Sequence, residues 1–112
     1  MKSIHDITLG WIRSKSREEL KEWLEKNTQF GQAWSKIQLT EDFNGIQGGL
    51  WLCGEGTEEY KGDVIFDYYN TDSKYNIGVL AKFEKKLTDM GWWCEWYDAG
   101  TIQIWKLWKH TI

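Results

Sequence analysis

Three carboxylates, Asp63, Asp67 and Glu95, are the side chains of this sequence that could take part in acid–base chemistry. The chain also holds nine tryptophans, which could bind a substrate beside them. Two carboxylates about 5 to 9 Å apart can hydrolyse a glycosidic bond, one as general acid and the other as base or nucleophile, and tryptophan rings can stack on the sugar. Spacing along the chain does not give that distance, and acidic side chains are mostly solvated. A small carbohydrate-binding module or hydrolase is therefore the alternative interpretation.

The two cysteines and two histidines do not form a recognisable catalytic or metal site. His5 and His110 lie near opposite ends of the chain, and nothing around Cys53 or Cys94 resembles a cysteine-protease signature. Zinc-ligand spacings such as C-x-x-C are absent. We therefore expect no catalytic residue, no metal and no cofactor, and we interpret the chain as a protein that is not an enzyme.

The charge of the chain is segregated along its length. The formal net charge is only −3, but residues 41–72 hold eight acidic side chains against the single basic Lys61, a net of −7. The segments on either side each carry a net of +2. An acidic segment of this kind repels nucleic-acid phosphates and attracts a basic protein surface. The pattern predicts a basic protein partner rather than a nucleic acid.

Five of the nine tryptophans lie within Gly91–Trp108, a stretch that reads as a β-hairpin. A two-residue loop at Ala99 and Gly100 would place alanine at a positive φ, so we predict a three-residue loop with Gly100 in the left-handed region. Tyr97 then pairs with Thr101. The inner face would carry Trp92, Cys94, Trp96, Ile102 and Ile104, and the outer face Trp93, Glu95, Tyr97, Thr101, Gln103 and Trp105.

The elements that must position these residues are helical in the first third of the chain. Spacing of apolar residues predicts a short helix near residues 4–12, and the capping box Ser16–Glu19 begins a second helix that ends near Asn27. Phe30–Leu39 fits both helical spacing and strand alternation, and we favour helix.

After residue 49 the order is strand, strand, helix, strand, strand. The strands are Leu50–Cys53, Asp63–Tyr69 and the two arms of the hairpin, and the long helix runs from Ile77 to Met90 with Asn76 as its N-cap. The predicted fold is a single α+β domain with a four-stranded mixed sheet. One long helix covers a face, Asp63–Tyr69 runs parallel to the first hairpin strand through a right-handed crossover, and two or three short N-terminal helices precede the sheet unit of residues 49–108.

The outer face of this sheet can be open or covered. In the predicted sheet Trp51, Cys53, Ile65, Asp67 and Tyr69 join the outer residues of the hairpin. Exposed, such a surface would suit a partner, since tryptophan and tyrosine dominate interface energetics. Alternatively, residues 1–39 fold back over it through Trp11, Leu20, Trp23 and Leu24, because short helices must bury their apolar stripes.

In size, acidity and aromatic content the chain resembles small acidic inhibitor proteins, such as immunity proteins that neutralise toxins and bacteriophage proteins that block host defences. The resemblance implies a protein-binding inhibitor. The expected partner-binding residues are Glu55, Glu58, Glu59, Asp67, Tyr69, Trp93, Glu95, Tyr97 and Trp105. The sequence holds no signal-peptide-like start and no run of membrane-spanning length, so we expect a cytoplasmic protein with reduced thiols and no membrane partner, and a homodimer is a further possibility.

Overall fold

The computed structural model describes residues 14–32 and 35–107. The predicted helix near residues 4–12, with Trp11, lies outside that range. The elements of the described residues are α1 (Arg17–Asn27), β1 (Gln38–Leu39), α2 (Thr40–Asn44), β2 (Leu50–Cys53), β3 (Glu59–Tyr60), β4 (Asp63–Val64), β5 (Tyr75–Asn76), β6 (Val79–Leu80), α3 (Ala81–Asp89), β7 (Trp92–Asp98) and β8 (Thr101–Lys106).

The main sheet has four strands in the order β1-β2-β8-β7, and all neighbours are antiparallel. The α+β class and the four-stranded sheet are thus confirmed, whereas the mixed sheet with a parallel crossover is wrong. The predicted strand Asp63–Tyr69 does not enter this sheet. Its first two residues form β4, which pairs only with β3, and the fourth place in the main sheet belongs to β1.

Strand β1 lies in the stretch for which we favoured a helix. Gln38 pairs with Trp51 and Leu39 with Leu50, so the prediction of a helix over Phe30–Leu39 is wrong. Phe30 is fully buried, and its ring lies 5.9 Å from that of Phe66. Tertiary packing therefore decided a segment whose local pattern was ambiguous.

The aromatic hairpin has the predicted register along most of its length. Trp93 pairs with Trp105 and Trp96 with Ile102, but the strands shift at Tyr97, and Asp98 rather than Tyr97 pairs with Thr101. The loop therefore has two residues, and neither has a positive φ. The Gly100 amide donates a 2.9 Å hydrogen bond to Oδ1 of Asp98. This side-chain acceptor closes the turn, so the left-handed glycine that we predicted is not needed.

Helix α1 begins and ends as the sequence predicts. The Ser16 hydroxyl accepts from the amide of Glu19, the Glu19 carboxylate accepts from the amide of Ser16 at 2.8 Å, and the helix ends at Asn27. Leu20 and Leu24 are fully buried in the core.

Helix α3 is shorter than predicted because a hairpin occupies its expected first turn. Strands β5 and β6 are joined by Ile77 and Gly78, both at positive φ (49° and 73°), and the helix begins only at Ala81. Asn76 is a strand residue, and its amide donates to the Glu84 carboxylate instead of capping a helix. Gly91, at φ +87°, follows the helix end as predicted.

The core lies between the inner face of the main sheet and a layer formed by α1, α3 and the two small hairpins. The inner face contributes the residues predicted from alternation, with Trp92 and Cys94 buried and Trp96 partly buried against the core. The buried residues of the core are Leu20, Leu24, Phe30, Leu50, Leu52, Tyr60, Ile65, Phe66, Val79, Leu80, Phe83, Leu87, Met90, Trp92, Cys94, Ile102 and Ile104.

Candidate binding surfaces

The nine residues predicted to bind a partner lie on separate surfaces. Trp93, Glu95, Tyr97 and Trp105 lie on the outer face of the main sheet, Glu55, Asp67 and Tyr69 line a groove at one end of that sheet, and Glu58 and Glu59 lie at β3. The structure therefore does not bring the nine residues together into one face. Ile65, which was also predicted to lie on the outer face, is fully buried in the core.

The centre of the outer face is covered by α2. The Phe43 ring stacks on Trp51 at 5.0 Å and 21° and meets Tyr97 edge-on at 5.0 Å. Beneath it Gln103 is only 4% exposed. Nε2 of Gln103 and Nε1 of Trp51 have no hydrogen-bond partner within the described residues, a cost of covering a face that carries polar atoms.

The outer face is thus covered by α2 and not by α1. Leu20 and Leu24 pack on the opposite side of the sheet, and the Trp23 ring lies 5.6 Å from Tyr60 and 6.3 Å from Phe83. The alternative in which Leu20, Trp23 and Leu24 cover the outer face is therefore excluded, and Trp11 lies outside the described residues.

The open end of the outer face is a shallow depression of about 310 Å³ lined by Ile46, Trp93, Glu95, Trp105 and Lys106. Trp93 is 38% exposed. Nε1 of Trp105 donates to the Glu95 carboxylate at 3.1 Å. The Lys106 ammonium donates to the Lys15 carbonyl at 3.0 Å and lies 5.2 Å from the ring centroid of the inner-face residue Trp92. Both polar groups are therefore already bound to residues of the same chain.

A larger groove of about 450 Å³ lies where the loops at one end of the sheet converge. We call it the tip groove, and it is lined by Gly54, Glu55, Gly56, Thr57, Val64, Phe66, Asp67, Tyr68, Tyr69 and Ala99. Two carboxylates and two tyrosines line it, and none of the described residues that line it is basic. Tyr69 is 81% exposed.

Backbone contacts hold the walls of the tip groove together. The Gly54 amide donates to the Gly100 carbonyl at 2.9 Å, and the Asp67 amide donates to the Gly78 carbonyl at 2.9 Å. A Cβ on Gly78 would lie 2.8 Å from the Asp67 carbonyl oxygen and from Cα of Tyr68, so only glycine permits this approach.

Trp96 joins these loops from the side of the sheet. Its Nε1 donates to the Ile77 carbonyl at 2.8 Å, and its ring meets Tyr68 edge-on at 4.9 Å. A Cβ on Gly54 would lie 2.6 Å from the Trp96 ring. The indole therefore fixes the loop of Gly54, the turn of Tyr68 and the hairpin tip at Ile77 relative to one another.

Two acids of the 41–72 segment are neutralised by partners within the chain. Asp63 accepts from Lys82 at 2.8 Å and Lys74 at 3.2 Å, and these hydrogen bonds lower the pKa of its carboxyl. The Arg17 guanidinium, 2.7 Å from Glu41, lowers the pKa of that carboxyl to about 2. These two carboxylates are therefore not free to attract a partner.

The other acids of the segment differ in exposure. Glu58 is 7% exposed, and its carboxylate lies against Gly56, whereas Glu55, Glu59 and Asp67 are exposed. Within the described residues none of these four forms an ion pair. The acidic surface available to a partner is thus smaller than the sequence count implies, and two of its carboxylates line the tip groove.

The carboxylate trio considered for glycoside hydrolysis is not assembled. Asp63 is paired with two lysines, Asp67 lies in the tip groove, and Glu95 lies on the outer face. The thiols also differ: Cys53 is exposed, while burial raises the pKa of Cys94 to about 12. No group of three potential metal ligands, and no helix long and apolar enough to cross a membrane, occurs among the described residues.

Two residues at the tip groove were not singled out from the sequence, Tyr68 and Ile77. A usable signal was present, because Lys61-Gly62 and Ile77-Gly78 are both X-Gly pairs between short strand-forming segments, the pattern of a two-residue hairpin. The apolar spacing that continues from Ile77 into α3 concealed the second of these turns.

Comparisons with known proteins add no assignment. No family model matches the chain, and neither the curated proteins nor the solved structures contain a match to it.

Proposed function

We propose that this protein is a small acidic protein-binding inhibitor that blocks a basic target protein, in the manner of immunity proteins or phage anti-defence proteins. The observation that carries the proposal is the tip groove. It places two carboxylates, which form no ion pair among the described residues, beside exposed tyrosines on loops that are held together by backbone hydrogen bonds. Blocking a target requires a fixed, complementary surface and no catalytic group.

Electrostatics and aromatic contacts have separate tasks in such an inhibitor. Exposed acids raise the association rate with a basic surface, and their effect decreases with salt. Aromatic side chains then provide contact area and keep the dissociation rate low. Glu55, Glu59 and Asp67 supply the first property, and exposed rings such as Tyr69 supply the second.

The experiment that tests the proposal is charge reversal of the exposed acids. A partner is isolated by pull-down from the source cell with the full chain, identified by mass spectrometry, purified, and its association rate is measured by stopped flow. Glu55→Lys together with Glu59→Lys should lower the rate about tenfold at low salt and flatten its salt dependence. Glu58 is left unchanged because it is buried.

The matched control carries the same change of charge at exposed helix positions, Glu18→Lys together with Asp89→Lys. It should leave the rate within about twofold of the original, because steering is strongest near the contact surface. Equal rates and equal salt dependence for the original chain and the Glu55/Glu59 variant would contradict the proposal.

The alternative function, a carbohydrate-binding module or hydrolase, has one observation in its favour. Glu55 and Asp67 line the same groove as two tyrosines, which is the composition of a sugar subsite. Both carboxylates are exposed, however, so water is not excluded from a reacting centre. Titration with neutral oligosaccharides, followed through tryptophan fluorescence, tests this alternative directly.

A further inference from the structure

We propose that the tip groove is the contact surface for the target, that it takes an arginine or lysine side chain of that protein, and that Ile77 is the apolar anchor beside it. The inference rests on the proposed function and adds to it the place and the chemistry of the contact. It also separates the tip groove from the outer face of the sheet, where the sequence placed most of the aromatic contact residues.

Charge complementarity is the first argument. Glu55 and Asp67 are exposed in a groove whose lining, in the part of the chain that the structure describes, contains no lysine, arginine or histidine. Neither carboxylate forms an ion pair within the described residues, although lysines neutralise Asp63 nearby in sequence. Asp67 accepts a hydrogen bond from the neutral side-chain amide of Asn70 at 3.3 Å, so a cationic side chain in the groove would supply the ion-pair partner that the described residues do not.

The rings of the groove suit the same occupant. Tyr68 and Tyr69 meet edge-on at 5.1 Å, and Phe66 forms part of the wall. A guanidinium or ammonium group over an aromatic face gains a cation–π attraction, and the planar guanidinium can pair with a carboxylate at the same time. An anionic ligand would gain neither contact, and a purely apolar one would leave both carboxylates unused.

Ile77 provides an independent argument from backbone conformation. It occupies the first position of a two-residue turn at φ 49°, a position that favours asparagine or glycine, and a β-branched residue there is strained. Its side chain is 83% exposed, so burial does not offset the strain. Strain that folding does not require points to a role at the surface.

The position of Ile77 connects it to the groove. Its carbonyl accepts from Nε1 of Trp96, and Trp96 contacts Tyr68. The next residue, Gly78, packs on the Tyr68 backbone. The isoleucine therefore stands at the rim of the tip groove, where it can contact an apolar residue adjacent to the basic side chain.

The outer face offers a poorer fit to a basic partner. Its centre is covered by Phe43, and Glu95, the single carboxylate of its open depression, accepts from Trp105. The tip groove instead offers two carboxylates beside exposed tyrosines. A cationic probe should therefore bind at the tip groove rather than at the outer face.

The first test is a titration of the ¹⁵N-labelled full chain with hexa-arginine amide, with hexa-glutamate amide as the charge-reversed probe. Hexa-arginine amide should cause saturable changes in the N–H chemical shifts of the groove. They should appear at Glu55, Asp67, Tyr69, Ala99 and the Trp96 indole, and hexa-glutamate amide should cause none there. Changes centred on Trp93 and Trp105, or non-saturating changes spread over the acids of α1, would overturn the inference.

Neutralising the groove gives the second test. Glu55→Gln together with Asp67→Asn should weaken hexa-arginine binding about tenfold, since two charged contacts are lost. The control Glu18→Gln together with Asp42→Asn removes the same charge from exposed positions outside the groove and should change affinity less than about twofold. Equal losses in the two double variants would show that only net charge matters and would overturn the inference.

The third test separates anchoring from folding. Ile77→Asn should raise the midpoint of thermal unfolding, because asparagine tolerates the left-handed region, and should weaken about threefold the binding of a peptide with two arginines flanked by leucines. The control is Lys61→Asn, at the equivalent position of the β3–β4 turn with φ 51°. This control variant should raise the midpoint of thermal unfolding without weakening the binding of the peptide. An unchanged affinity of Ile77→Asn for the peptide would show that Ile77 is not an apolar anchor.

The two levels of proposal fail in different ways. If the purified target binds and its footprint lies on Trp93 and Trp105, the inference is wrong and the inhibitor function stands. If no basic protein or peptide binds and a neutral oligosaccharide shifts the groove residues, both are wrong and the carbohydrate alternative takes their place.

Discussion

The outer face of the main sheet and the tip groove contain the same kinds of side chain, aromatic rings beside carboxylates. They differ in how far other residues of the chain contact those side chains. On the outer face, Phe43 stacks on Trp51, and Trp105 donates to Glu95. In the tip groove, Glu55 and Asp67 form no ion pair with any described residue, Asp67 accepts from the Asn70 side-chain amide at 3.3 Å, and the tyrosines are exposed. Aromatic content alone therefore does not indicate a binding surface. The informative property is whether the same chain already covers the rings, as Phe43 covers Trp51.

The two regions also differ in how they are built. Strand alternation produces the outer face, so its composition follows from the hairpin register. Loops and turns produce the tip groove, and their mutual positions depend on one indole, two glycines and a few backbone hydrogen bonds. Loops held by a rigid scaffold are the usual location of recognition residues. The comparison predicts that substitutions at the groove scaffold and at the outer cover have separable effects.

The largest effect should come from Gly78→Ala. The new Cβ would lie 2.8 Å from backbone atoms of Asp67 and Tyr68 at φ +73°, so both strain and a collision with backbone result. We expect a loss of about 3 kcal/mol in the free energy of unfolding, measured by urea denaturation.

The control for this prediction is Gly62→Ala in the β3–β4 turn. Its φ is +87°, but nothing lies within 4 Å of the new Cβ, so only the conformational cost of about 1 kcal/mol applies. If Gly78→Ala and Gly62→Ala lower the free energy of unfolding by similar amounts, the close contact between Gly78 and the Tyr68 backbone does not stabilise the groove.

A smaller effect is expected from Phe43→Ala on the outer face. Removing the ring uncovers Trp51 and Tyr97 and should cost about 2 kcal/mol, less than a fully buried phenylalanine because Phe43 is half-buried. Binding of hexa-arginine amide should remain within about twofold, since the ring lies outside the groove.

Phe43→Leu serves as the matched variant for that prediction. Leucine keeps apolar cover over Gln103 but loses the ring stacking, so it should recover about half of the lost stability. A large loss of hexa-arginine affinity in Phe43→Ala, with leucine restoring it, would show that the two surfaces are coupled.

The smallest effect concerns the pairing of Glu41 with Arg17, which ties α2 to α1. Because this partner lowers the pKa of Glu41 to about 2, its stabilising contribution is present above the ordinary carboxyl pKa and is lost as pH falls through about 2. Thermal unfolding followed between pH 2 and pH 7 should show a shallower acid decline for Glu41→Gln than for the original chain. The two curves should converge at the acidic end. An equally steep decline would contradict the pairing.

Local signals predicted the parts of the fold that local chemistry determines. The capping box at Ser16 fixed the start of α1, Gly91 marked the end of α3, and the pairing of Trp93 with Trp105 followed from turn residues and alternation. Each of these features depends on residues within a few positions or on one hairpin. The length of the hairpin loop was predicted as three residues and is two, because the Asp98 side chain accepts a hydrogen bond that closes the turn.

The features that sequence reasoning missed are those that depend on distant contacts. Two-residue strands such as β1 carry too few residues for alternation to be detectable, and Ile77 fits the apolar spacing of α3 although that helix begins only at Ala81. The groove could not be foreseen either, because Glu55, Asp67 and Ala99 come from three loops that no local pattern relates. Glu58 was predicted to be an exposed, partner-binding acid, and it is buried in the structure.

The contrast between the two thiols has a practical consequence. Cys53 is exposed at the end of β2, next to the loop that begins the tip groove, whereas Cys94 is buried and retains its proton at neutral pH. An alkylating dye should therefore attach to one sulfur in the native chain. The unaltered protein thus carries its own reporter position next to the groove, so that occupancy can be followed by fluorescence without changing a residue.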